Sequence, residues 1–248
     1  VSPSLPLTLV AALCAATSLA GGAPAHGTSL ADQSLVKAVP RPDTPSVRPL
    51  DLFGGPLLSM PLYATGFERP EGFAPGPVDG QAGWTALFAG DPEPHVDTAA
   101  AVNGFQHLRL SFDPNLPPGS LTGGFSPNFG PQVPAPVTFS MDVGITAAGG
   151  ADYEIVPQSF AEGLVATRIV FFFTDTDVPA DGLPNIFVLD DVGFGLEFVD
   201  IGVNWLPGAA RNLTLKLDPF DGPDGSIRIY YDDDHIYTTA AGAFAAQT

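Results

Sequence analysis

Val137-Thr138-Phe139-Ser140-Met141-Asp142-Val143-Gly144-Ile145 alternates apolar and polar positions along its length. A period of two sends every second side chain to the same face of an extended chain. The stretch therefore predicts a β-strand with one buried and one wet face. The rhythm returns on either side of it. Leu108-Arg109-Leu110-Ser111-Phe112, Leu213-Thr214-Leu215-Lys216-Leu217 and Ile227-Arg228-Ile229-Tyr230-Tyr231 all read as half-buried strands. Ile169–Phe173 and Ile186–Leu189 are unbroken apolar runs, which suit strands covered on both faces.

Composition supports the same class. The 248 residues are 45% hydrophobic and 15% charged, enough apolar surface for a packed core. With 28 glycines and 27 prolines, the chain carries far more turn formers than the usual share of roughly 12%. No sustained helical stripe appears after residue 25. The expected fold is all-β, an antiparallel two-sheet jelly-roll sandwich.

Nine Lys and Arg face 27 Asp and Glu, a net charge of −18. A surface of that sign excludes nucleic acid and anionic membrane as main partners, because phosphate binding needs a basic footprint. The charge concentrates late. From Phe171 to Asp234 there are 13 acidic residues against Arg211, Lys216 and Arg228.

Leu5–Ala20 is an apolar run too short to span a bilayer, followed by Ala23-Pro24-Ala25, an A-x-A cleavage pattern. Residues 1–25 are expected to be a secretory signal peptide, although no Lys or Arg precedes Lys37. Val1 reads as an alternative start codon or a clipped beginning. Cys14 lies in that leader, so the mature chain would have no thiol for a disulfide, a zinc site or catalysis. Residues 26–61 form a proline-studded arm, and 62–248 the β-domain. Within this region Pro61–Phe67 is the candidate for a first strand. The expected location is extracellular or in a bacterial cell envelope, with no membrane span.

Phe67-Glu68, then Gly80-Gln81-Ala82-Gly83-Trp84, then Asn103–Leu110 follow one another in an order that resembles secreted bacterial β-jelly-roll modules. Asn212–Leu217, the acidic turn Asp218–Gly225, Ile227–Tyr231 and Asp232–Asp234 resemble a hairpin of concanavalin A-like and laminin-G-like domains. The resemblance covers roughly residues 62–240. It implies a jelly roll whose last strand lies beyond Thr248, and it brings carbohydrate-binding modules and glycoside hydrolases into view. The hydrolase signature, Glu-x-Asp-x-x-Glu, is matched only by Asp152-Tyr153-Glu154. Without the third acid, and with no nucleophile elbow and no paired histidines, no catalytic residue is assigned. Asp152 and Glu154 are expected at a solvated strand end or in a loop.

Two acidic loops suggest Ca²⁺ instead. Asp175, Asp177 and Asp181 cluster around Gly182 between two apolar strands, and clustered oxygen donors are what a hard cation requires. Asp218, Asp221 and Asp224 form the second loop. Turn chemistry alone explains both equally simply. Asp190-Asp191 closes an apolar strand, so one of the two must point inward, where a carboxylate has to be paired, protonated or metal-bound. Aromatic rings are the usual sugar platforms. Trp205, Tyr153 and Tyr230 are the candidates for ligand binding, and Trp84 is expected in the core.

The function expected from these features is a secreted, non-catalytic β-sandwich module. It would bind a polysaccharide or cell-surface glycan, or mediate adhesion, with Ca²⁺ stabilising it. The alternatives are a glycoside hydrolase or polysaccharide lyase of the same fold, and a structural envelope protein without a soluble ligand.

Overall fold

A computed structural model describes residues 10–16, 34–37, 63–87, 93–99, 101, 103–111, 115, 121–127, 136–146, 151–159, 164–165, 167–193, 195–218, 220–222 and 225–239. In chain order the strands are β1 (Val10–Ala16), β2 (Ser34–Lys37), β3 (Gly76–Pro77), β4 (Thr85–Leu87), β5 (His95–Asp97), β6 (His107–Arg109), β7 (Leu121–Phe125) and β8 (Val137–Ile145). They continue as β9 (Asp152–Ser159), β10 (Leu164–Val165), β11 (Ile169–Phe171), β12 (Asn185–Asp191), β13 (Leu196–Asn204), β14 (Ala210–Asp218), β15 (Ser226–Tyr231) and β16 (Asp234–Thr238). Among the described residues, two short 3₁₀ turns, Arg69–Glu71 and Gln81–Gly83, are the helical elements.

Two antiparallel sheets result. The first has the order β13-β12-β11-β9-β1-β7-β4, with β10 beside β9. The second has the order β16-β15-β14-β8-β2-β6-β5-β3. Their inner faces meet in one apolar core, the arrangement of a β-sandwich. The second sheet supplies rows set by register: Leu213 lies opposite Met141 and Tyr231, and Leu215 opposite Phe139 and Ile229. The first sheet answers with Ile155, Ile169 and Val188 in one row, and with Tyr153, Phe171 and Ile186 in the next. The alternation in the sequence thus decides which side chains enter the apolar core, since a one-residue slip in register would turn a whole row away from it.

The predicted strands correspond to β6, β8, β11, β12, β14 and β15. Of the expected strand Pro61–Phe67, residues 61–62 lie outside the described residues and Tyr63–Phe67 forms no strand. Tyr63–Phe67 runs outside both sheets, and Phe67 takes a positive φ of 60°. The buried Phe67 ring sets this geometry, packing edge-on against Phe73 and Trp84 at 5.1 and 5.0 Å. Glu71 braces the turn by accepting from the Gly66 and Glu68 amides. Glu68 in turn accepts from the Phe105 and Gln106 amides, and the Gln106 side chain donates to the Phe67 carbonyl. The Phe67-Glu68, Gly80–Trp84 and Asn103–Leu110 segments therefore meet in a single packed corner.

Val10–Ala16, inside the expected leader, is placed between β7 and β9 of the first sheet. Of the expected arm, Ser34–Lys37 pairs with β6 and β8, and residues 26–33 and 38–61 lie outside the described residues. No helix among the described residues is long and apolar enough to cross a membrane.

Opposite faces of β14 carry opposite expectations. Leu215→Ala removes a fully buried side chain and should cost about 2–5 kcal/mol in urea denaturation. Lys216→Ala, next to it on the exposed side, should change stability by less than about 1 kcal/mol.

Candidate functional site

The segment between β11 and β12 leaves the sandwich at Phe172 and returns at Pro184. Its three acids converge: one carboxylate oxygen from each of Asp175, Asp177 and Asp181 lies within 4.8 Å of the others. Local sequence makes the loop. Asp175 accepts from the amides of Asp177 (2.8 Å) and Gly182 (2.5 Å), closing the chain upon itself. Gly182 has φ of 84°, a conformation that a side chain would strain. Asp181 accepts from the Leu183 amide at 2.8 Å.

Two asparagines fasten this loop to the sheet. Asn185 and Asn204 face each other across β12 and β13. The fully buried Asn185 accepts from the Thr176 amide (2.8 Å) and donates to Asp177 (3.0 Å), and Asn204 donates to Asp181 (2.6 Å). Thr176 donates through its hydroxyl to Asp200 on β13 at 2.6 Å. The sequence reading found the three acids but missed Asn185, Asn204, Thr176 and Asp200. The signal for Asn185 was its place between Pro184 and an apolar strand, where a buried amide must find partners.

The donor set fits calcium. Two oxygens sharing a Ca²⁺ at about 2.3–2.6 Å can stand up to roughly 5 Å apart, and the cluster keeps within that limit. Each carboxylate oxygen retains a lone pair after accepting one N–H. Asp175 and Asp177 are half-buried and Asp181 is exposed, so the cluster opens to solvent on one side.

The second acidic loop is used differently. Asp221 takes hydrogen bonds from Ser226 (2.6 Å) and Arg228 (2.5 Å), which hold its carboxyl below the ordinary range. Asp218 accepts from the Phe220 amide at 3.0 Å, as in an ordinary turn. Asp224 lies outside the described residues. Among the described residues, only Asp175, Asp177 and Asp181 form a cluster of metal-ligating groups.

The inward member of the Asp190-Asp191 pair is Asp190, 2% exposed. It is paired, as burial demands: the Tyr237 hydroxyl from β16 donates to it at 2.8 Å, tying the two sheets together at one edge. Burial, with the bond to Asp190 and its negative charge, pushes the Tyr237 phenol up to about 12. Asp191 turns outward and accepts from the Gly193 amide.

Two of the three aromatic candidates are corrected. Trp205 is 1% exposed, with its indole N–H donating to the Phe172 carbonyl (2.9 Å) and its ring packed edge-on to Phe171. Tyr153 is 3% exposed on the inner face of β9. Neither offers a ring face to a ligand. Tyr230 sits half-buried on the outer face of the second sheet, between the Lys216 ammonium (4.3 Å) and the His235 ring (5.3 Å). The structure does not bring these three together. Trp84 is in the core, with its indole N–H donating to the Tyr63 hydroxyl.

A different aromatic group occupies the outer face of the first sheet. Phe172 meets Phe187 edge-on at 5.1 Å, and Phe198 lies under the Arg168 guanidinium at 5.4 Å. Register sets Glu154, Val170, Phe187 and Asp200 in one row across four strands, and Leu189 and Phe198 in the next. Leu196 and Phe198 are about half exposed. Periodicity could not reveal this face, because β13 carries apolar residues on both sides.

Asp152 and Glu154 lie in a strand and are buried, contrary to the expected solvated end. Arg168 binds Glu154 through Nε (2.7 Å) and through a second nitrogen. Asp152 accepts from the Phe173 amide at 3.2 Å. Burial is the main cause that pushes its carboxyl up to about 7, opposed by that amide and reinforced by the Glu154 charge.

Removing the Tyr237 hydroxyl in Tyr237→Phe deprives a buried carboxylate of a donor. The expected loss is about 1–3 kcal/mol by chemical denaturation. Ultraviolet titration of the native protein should place this phenol near 12 rather than at its ordinary 10.0. No family model matches the chain, and the comparisons found no matching curated protein or solved structure.

Proposed function

We propose that the chain is an exported, non-catalytic module of the jelly-roll type that binds carbohydrate on the outer face of its first sheet, with Ca²⁺ held in the Asp175–Asp181 loop. The observation that carries this reading is the junction of the two features. The Thr176–Asp200 bond joins the three-carboxylate loop to a sheet row containing Phe187. Phenyl rings offer apolar faces on which a pyranose can stack, and the flanking carboxylates accept from sugar hydroxyls. Ca²⁺ would neutralise three crowded negative charges and set the loop against that face. Phe172, Phe187 and Phe198 replace Trp205 and Tyr153 as the proposed contact residues.

Metal and ligand are tested separately. After chelation, added Ca²⁺ should raise the thermal midpoint, and Asp177→Asn should abolish most of that rise. An unchanged midpoint would remove calcium from the reading. Polysaccharide pull-down or calorimetry should detect binding that Phe198→Ala weakens by about tenfold, the loss of roughly 1.4 kcal/mol of stacking. No binding to any polysaccharide or cell-surface glycan would defeat the carbohydrate assignment. Export through residues 1–25 calls for a mature protein beginning near residue 26. A mature chain that retains Val10–Ala16 would count against the leader.

A further inference from the structure

Asp152 and Glu154 occupy alternate positions on the outer face of β9, and each is only 5% exposed. Among the described residues the cation beside these two carboxylates is Arg168, which directs two nitrogens at Glu154 and lies over Phe198. In the chain that retains Val10–Ala16, to which this inference applies, register sets Ala16 opposite Asp152 and Cys14 opposite Glu154 on the other side of β9, and the β1 segment contains no charged residue. Across β11 the nearest row is apolar, with Val170 opposite Glu154 and then Phe187. The remaining polar contact shown for Asp152 is the Phe173 amide, at the point where the chain leaves the sheet.

Charge counting decides the state of this cluster. With Asp152 ionised, the three side chains carry a net negative charge in a poorly solvated place. With Asp152 protonated, they sum to zero. We propose that Asp152, Glu154 and Arg168 form a proton-controlled clamp at the centre of the first sheet, closed when Asp152 carries its proton and loosened when it loses it. The burial that raises the Asp152 carboxyl to about 7 sets the clamp near neutrality.

The sign follows from linkage. The folded state keeps a proton that the unfolded chain releases near 3.8, so the group stabilises the fold less and less as pH rises from 3.8 to about 7. Asp152→Asn, neutral and of the same shape, removes this dependence. Urea unfolding of both proteins across that range should show the unfolding constant of the wild type, relative to Asp152→Asn, rising by up to about tenfold per pH unit and levelling above about 7. A ratio that stays flat would overturn the clamp. Should the variant not fold, ¹³C titration of the native protein serves instead. The Asp152 carboxyl should titrate near neutrality. Titration in the ordinary carboxylate range would refute the proposal.

Discussion

The packing of one apolar face against another is the constraint on which the rest depends. Leu213, Leu215 and Leu217 of β14 align with rows on β8 and β15, and the layer so formed closes on Ile155, Ile169, Phe171, Ile186 and Val188. Each fully buried side chain of this size contributes about 1.5–3 kcal/mol. Together such rows drive a chain with no cysteine after residue 14 to fold around its core alone. They also confine chemistry to the outer faces and to the ends of the strands, where backbone and side-chain polarity can reach water.

An acidic chain built this way must find partners for its carboxylates wherever they leave water or crowd together. The structure uses a different partner in each place. Tyr237 serves Asp190, Arg168 serves Glu154, and Arg228 with Ser226 serves Asp221. In the loop after β11, backbone amides and two asparagines serve Asp175, Asp177 and Asp181. These amides and asparagines orient carboxylates without neutralising them, which leaves the loop suited to a cation. Asp152 is the case in which no cation is spared, and a proton takes that role in the proposed clamp.

The alternating runs were legible as strands, but the polar faces of β8 and β14 are not wet: Ser140, Asp142, Asn212 and Thr214 are buried and hydrogen-bonded to one another. Among the strands that alternation did not reveal are β9 and β13. Residues 151–157 are buried throughout, so β9 shows no alternation, and its two acids resemble a loop. In β13, Val199, Ile201 and Val203 face one way while Leu196 and Phe198 face the other, with Gly202 interrupting. The aspartate cluster was readable because its members lie within seven residues and a single turn gathers them. Trp205 and Tyr153 were misread because exposure depends on what packs above a residue, which neighbours in sequence do not reveal.

The sequence by itself determined the all-β class, the inward rows of the best strands and the three acids of the loop, since each rests on spacing within a few residues. Tertiary structure alone decided that Asn185 and Asn204 anchor those acids, that Phe172, Phe187 and Phe198 share a face, and that Arg168 binds Glu154 beside the buried Asp152. Those relations join strands distant in the chain. Register and sheet order bring them together, and no local pattern of residues encodes either.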